Sequence, residues 1–140
     1  DYCLAITLMA QPLAWMEGTG LPEEAFAIAP LIRLYRQHRT ALHAGTILPI
    51  GEEPSGCGWT GFQSLTEDGR DYLLVFREWT KRDEARIPCW LAPGTRLNLE
   101  CLWGDGRLLA PEVDADGRIA LHLPTPFSFA WFRIAPLSEG

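Results

Sequence analysis

The densest collection of groups able to do chemistry lies in residues 48 to 65, LPIGEEPSGCGWTGFQSL, where Glu52 and Glu53 stand among glycines and beside a tryptophan. Two carboxylates can split a glycosidic bond by a retaining route only when they face each other from ~5–5.5 Å across it. Adjacent residues of an extended segment point to opposite faces, so Glu52 and Glu53 are a poor dyad. They are read instead as a polar bend closed by Pro54 at the start of a β-domain, with Trp59 and Phe62 packing inward behind it. The glycines of GCGWTG then serve close backbone approach or a bulge rather than phosphate binding, because no helix follows to offer its N-terminus to an anion.

Other reactive residue types receive the same test. His38 and His43 are five apart, whereas two ligands on one helix face are three or four apart, so they are read as non-ligands and neither a metal nor a cofactor is expected. Cys3, Cys57, Cys89 and Cys101 show no CxxC spacing and lie in apolar or strand-like stretches. Buried free thiols are therefore expected, and these, with no leader-like start, suggest a cytoplasmic setting. Trp79, Trp90, Trp103 and Trp131 would form a sugar-stacking platform if they shared an exposed face, but tryptophans in strands are more often core. No GxSxG nucleophile elbow is present.

These groups need elements to hold them, and the chain has material for one ordinary domain: 140 residues, 47% of them hydrophobic. A net charge of −6 with 12 scattered basic residues argues against nucleic acid as a partner. The apolar stretch LAITLMAQPLAWM is too short and interrupted to span a membrane, and a soluble protein is expected.

The pattern changes near Gly45. Before it, Phe26, Leu31, Leu34, Tyr35, His38 and Leu42 recur at roughly helical spacing. Pro22, Glu23 and Glu24 suit a first turn. Pro30 requires either a kink or a second helix starting there. Gly45 provides a stop. After it come about eight apolar runs separated by turns, with Asp68-Gly69, Asp105-Gly106 and Asp116-Gly117 each followed by arginine, as tight hairpins require. Alternation is clear in Leu97, Leu99 and Cys101, and again in Ile119, Leu121 and Leu123. The expected fold is mainly β: an antiparallel β-sandwich of about eight strands over residues 45–140, preceded by an N-terminal helical segment. Residues 1–44 fit poorly as an independent unit. YCLAITLMAQ is apolar nearly all round, whether helix or strand, and PLAWMEG reads as a buried strand whose parallel neighbours are missing.

The succession LMAQPLAWMEGTGLPEEAFAIAPLIRLYRQHRTALHAGTILPI, with its GLPEE helix start and LYRQHR helix end leading into a β-domain, resembles the C-terminal region of melibiase-like α-galactosidases of glycoside hydrolase family 36. The most specific likeness runs from about residue 13 to residue 77; beyond it the resemblance is one of architecture. It implies that residues 1–44 are the last β/α unit of a (β/α)8 barrel and that residues 45–140 are the C-terminal sandwich. The family's nucleophile and acid/base aspartates lie on earlier barrel strands, so no catalytic residue carries over. Trp15 and Glu17 would sit at the C-terminal end of the last barrel strand, where barrel enzymes contact substrate, and are the candidate substrate-binding residues.

The leading expectation is thus a non-catalytic C-terminal portion of a retaining α-galactosidase-like enzyme. Its sandwich would brace the rest of the catalytic barrel, and carbohydrate would be the parent enzyme's substrate. A free-standing carbohydrate-binding module and a purely structural or oligomerisation domain are the alternatives. If residues 2 to 16 are an orphaned barrel edge, Tyr2, Leu4, Ile6, Leu8, Leu13 and Trp15 must fold back on the sandwich or be covered by a second copy; self-association is expected.

Overall fold

The computed structural model describes residues 1–13 and 19–134. Among the described residues eight antiparallel strands form two sheets: β1 (Thr46–Gly51), β2 (Trp59–Leu65), β3 (Tyr72–Arg77), β4 (Glu84–Pro88), β5 (Leu99–Gly104), β6 (Arg107–Leu108), β7 (Arg118–His122) and β8 (Ser128–Ile134). The larger sheet has the order β1-β2-β3-β8-β5 and the smaller the order β4-β7-β6. The protein is mainly β.

Helical segments come first in the chain. A one-turn helix α1 (Tyr2–Ala5) leads to a 3-10 turn at Leu8–Ala10, and a second 3-10 segment at Glu23–Ile28 runs into the long helix α2 (Ala29–Ala44). Pro30 sits in the first turn of α2, where its missing N–H costs nothing, so of the two ways to accommodate it the chain starts a new helix. Gly45 ends α2 in an extended conformation and passes directly into β1.

Two apolar clusters order these pieces into three layers. Between the sheets lie Ile50, Trp59, Leu73, Val75, Ile87, Val113, Ile119, Leu121, Leu123, Ala130 and Phe132. On the far side of the larger sheet, Leu74, Phe76, Phe129 and Trp131 meet Ala5, Leu8 and Met9 and the α2 residues Leu31, Tyr35 and Leu42. β3 is consequently buried at every position, Leu73 and Val75 toward one cluster and Tyr72, Leu74 and Phe76 toward the other. A strand covered on both faces reads as a continuous apolar run, as YLLVF does. The edge strand β1 tolerates Pro49, since an edge residue needs no ladder donor on its open side.

The first ten residues fold back onto the sheet: Ala5, Leu8 and Met9 are buried, while Ile6 and Leu13 remain exposed. The strand expected in PLAWMEG falls largely on residues 14–18, outside the described residues.

Three expectations need correction. Asp105-Gly106 makes no hairpin, because β5 and β6 belong to different sheets; Gly106 carries the chain between them, and a Cβ there would collide with Ala130 and Phe132. The face that alternates through Leu97, Leu99 and Cys101 is not buried to its end: Cys101 stays in register with Phe132 on the edge strand β5 yet is exposed, and a register shift just after it turns Leu102 and Trp103 toward the helical layer. The thiols are free but not buried: Cys3, Cys57 and Cys101 are exposed and Cys89 is half-buried. Cys3 lies on α1 and Cys57 on a surface loop, and partial burial pushes the thiol pKa up at both Cys89 and Cys101.

Candidate functional site

The carboxylates of the GEEPSGCGW segment do not converge. Glu52 Oε1 accepts from Arg82 Nη2 at 2.7 Å in a solvent-exposed ion pair, and its backbone N–H donates to the Trp59 carbonyl at 2.6 Å. Glu53 is exposed. Gly58 lies so close to the Glu52 side chain that a Cβ there would meet its carboxylate, and the Gly58 N–H donates to Glu78 Oε2 at 3.0 Å. This is a joint: Glu52 ties the entry of β2 to the loop before β4, and Trp59 enters the inter-sheet core with its Nε1 donating to the Arg82 carbonyl at 3.1 Å. Phe62, of opposite parity on β2, packs half-buried on the helical side.

The histidines are occupied separately. His38 Nδ1 bonds the hydroxyl of Tyr72 at 3.2 Å, and His43 Nε2 bonds that of Tyr35 at 2.8 Å. Burial lowers both pKa values; for His38 the Arg133 guanidinium lowers it further against the opposing pull of Glu100. Among the described residues no group of three His, Cys, Asp or Glu side chains is placed to hold a metal ion, and no helix is long and apolar enough to cross a membrane.

The tryptophans divide. Trp59 and Trp131 are core, Trp103 is half-buried, and Trp79 and Trp90 are exposed. Trp90 is pinned at the sheet edge, its Nε1 donating to the Pro49 carbonyl at 2.8 Å. Trp15 and Glu17 lie outside the described residues.

What the helical layer offers instead is an apolar groove of ≈ 470 Å³ between α1, the 3-10 turn and α2, floored by Leu4, Leu8, Ile28 and Ile32 and edged by Leu13 and Tyr35. Arg36 and Arg39 stand on its rim. Burial raises the Tyr35 pKa against the opposing pull of Arg39, keeping the phenol neutral beside His43. Leu13, at its lip, is 80% exposed, and Ile6 and Phe26 on the same layer are also open to solvent. The groove was not legible in the sequence because its walls come from three segments whose apolar positions are shared between the sheet and the outside. Compared with known protein families, curated proteins and solved structures, the chain matches none.

Proposed function

We propose that this chain is a non-catalytic accessory module whose helical layer seats against a larger neighbouring body, the sandwich bracing that body from outside. The resemblance to family 36 α-galactosidases names the body as a (β/α)8 catalytic barrel, with residues 1–44 as its last β/α unit and carbohydrate as the substrate of the whole enzyme. One observation carries the reading. The helical layer buries one side on the sheet, leaves Leu13 and Ile32 open at an apolar groove and exposes Ile6 and Phe26 as well, and an apolar face of this kind marks a place where another surface belongs. Glu52 and Glu78 of the joint are engaged in structure and Glu53 stands apart from them in solvent, so the module contributes support and not acid–base chemistry.

Two measurements test it. The chain should leave an aryl α-galactoside intact, and hydrolysis above buffer would overturn the non-catalytic role. Without its neighbour the helical layer should find a substitute, so the chain should self-associate in light scattering and Leu13→Asp with Ile32→Asp should render it monomeric. A chain that is monomeric at micromolar concentration without those substitutions would sink the bracing role.

A further inference from the structure

On the rim of the larger sheet, the loop after β3 and the loop before β8 bring two large rings together in the open. Trp79 and Phe127 stack with centroids 5.8 Å apart and planes within 22° of parallel, yet they are 64% and 57% exposed. Phe127 holds this position at φ +51. A bulky residue in the left-handed region is an outlier, and such strain persists where the surroundings impose it, most often at ligand sites. Tyr2 meets Phe127 edge-on at 6.4 Å and 89°, buttressing it from the side.

Phe127 is also the wall of a cleft of ≈ 440 Å³ lined by Asp1, Trp103, Asp105 and Ser128, a volume within the ~300–1,000 Å³ of small-molecule sites. The Trp103 Nε1 donates to Asp1 Oδ2 at 3.3 Å and orients that carboxylate. Glu78 lies near enough to Tyr2 to help burial, the larger cause, raise the phenol pKa. The charged side chains lining the cleft, Asp1 and Asp105, are carboxylates, which accept hydrogen bonds and repel anions. Two stacked rings cover each other on their inner side and offer an outer ring face, not an enclosing cage, and the carboxylates of the adjoining cleft are strong acceptors for hydroxyl groups. That combination matches a pyranose, apolar on one face and ringed with hydroxyl donors.

We infer that the Trp79–Phe127 shelf and the adjoining Asp1–Trp103–Asp105 cleft form a binding site for a neutral oligosaccharide. The site adjoins the helical groove through α1, with Asp1 and Tyr2 lining the cleft and Cys3 and Leu4 the groove, but sugar binding does not depend on the bracing role. The test follows the indole N–H signals of the full chain by NMR while raffinose, maltotriose, cellotriose or xylotriose is added to millimolar concentration, with tetramethylammonium in parallel. At least one trisaccharide should shift the Trp79 and Trp103 signals saturably and leave those of Trp59 and Trp131 in place. Trp79→Ala should weaken that binding about tenfold or more. Phe127→Asn, which suits the left-handed backbone, should weaken it likewise without lowering the melting temperature. No shift with any trisaccharide, a shift with tetramethylammonium alone, or undiminished binding in both variants would overturn the assignment. Because the oligomeric state tests bracing and the indole signals test the shelf, one can fail without the other.

Discussion

Arg77 Nη1 donates to the carbonyl oxygen of Leu123 at 2.8 Å, joining residues 46 apart in the chain at the end of the inter-sheet core. The same guanidinium holds the Thr80 carbonyl through Nε at 3.2 Å and Nη2 at 2.8 Å, and the residue is only 4% exposed. A buried charge persists where its donors are used, and here they fasten the loop before β4 and the loop before β8 to the end of β3.

Arg77→Met keeps the aliphatic stem but leaves those carbonyls without their donor. A loss of about 2–3 kcal/mol is expected, hydrogen bonds to charged groups being worth more than neutral ones. It should appear as a lower urea midpoint at unchanged slope; a midpoint equal to the parent's would show the guanidinium to be incidental.

Gly61 lies in β2 opposite Val75 of β3, and a Cβ there would overlap the Leu74 carbonyl oxygen. Backbone cannot swing aside as a side chain can, so Gly61→Ala should cost about 3 kcal/mol through strain in the centre of the sheet. Gly69, at φ +70 with open space around it, supplies the contrast. Gly69→Asn should stay within about 0.5 kcal/mol of the parent, Asn tolerating the left-handed turn.

Acidification should weaken the helical layer. Burial lowers the pKa values of His38 and His43 below the ordinary 6.5. The unfolded chain therefore binds more protons in the window beneath that value, and stability, fully present above it, declines as pH falls toward the folded pKa values. Denaturant midpoints measured from about pH 7 to about pH 5 should fall, and His38→Phe should flatten the decline; an equally steep slope in the variant would remove His38 from this account.

The N-terminal ten residues are structural in this protein. Leu8 is fully buried against the sheet with Ala5 and Met9, so Leu8→Ala should cost about 2–5 kcal/mol. A chain beginning at Leu21 should bind hydrophobic dye through the Phe76 and Phe129 surface that Tyr2 covers. Dye binding equal to that of the full chain would contradict the packing.

By itself the sequence determined the division of labour along the chain. The period of α2, the entry at Pro30, the stop at Gly45, and the alternation of Ile119, Leu121 and Leu123 are local signals, each set by backbone geometry over a few residues, and they were readable without a partner in view. The bend at Glu52 and Glu53 was legible for the same reason, since neighbouring residues in extended chain cannot face one another.

Only the tertiary structure decided which face met which. The third layer exists because residues 1–10 turn back over β3 and β8, a long-range choice that an all-round apolar segment does not encode locally. Cys101 lies open because β5 ends up at the edge of the larger sheet, and Asp105-Gly106 crosses between sheets because the strands on either side pair elsewhere. Trp79 and Phe127, 48 residues apart in sequence, meet because β3 and β8 are antiparallel neighbours whose ends converge. Pairing of distant strands is settled by the summed burial of whole faces, and no short stretch of sequence carries that sum.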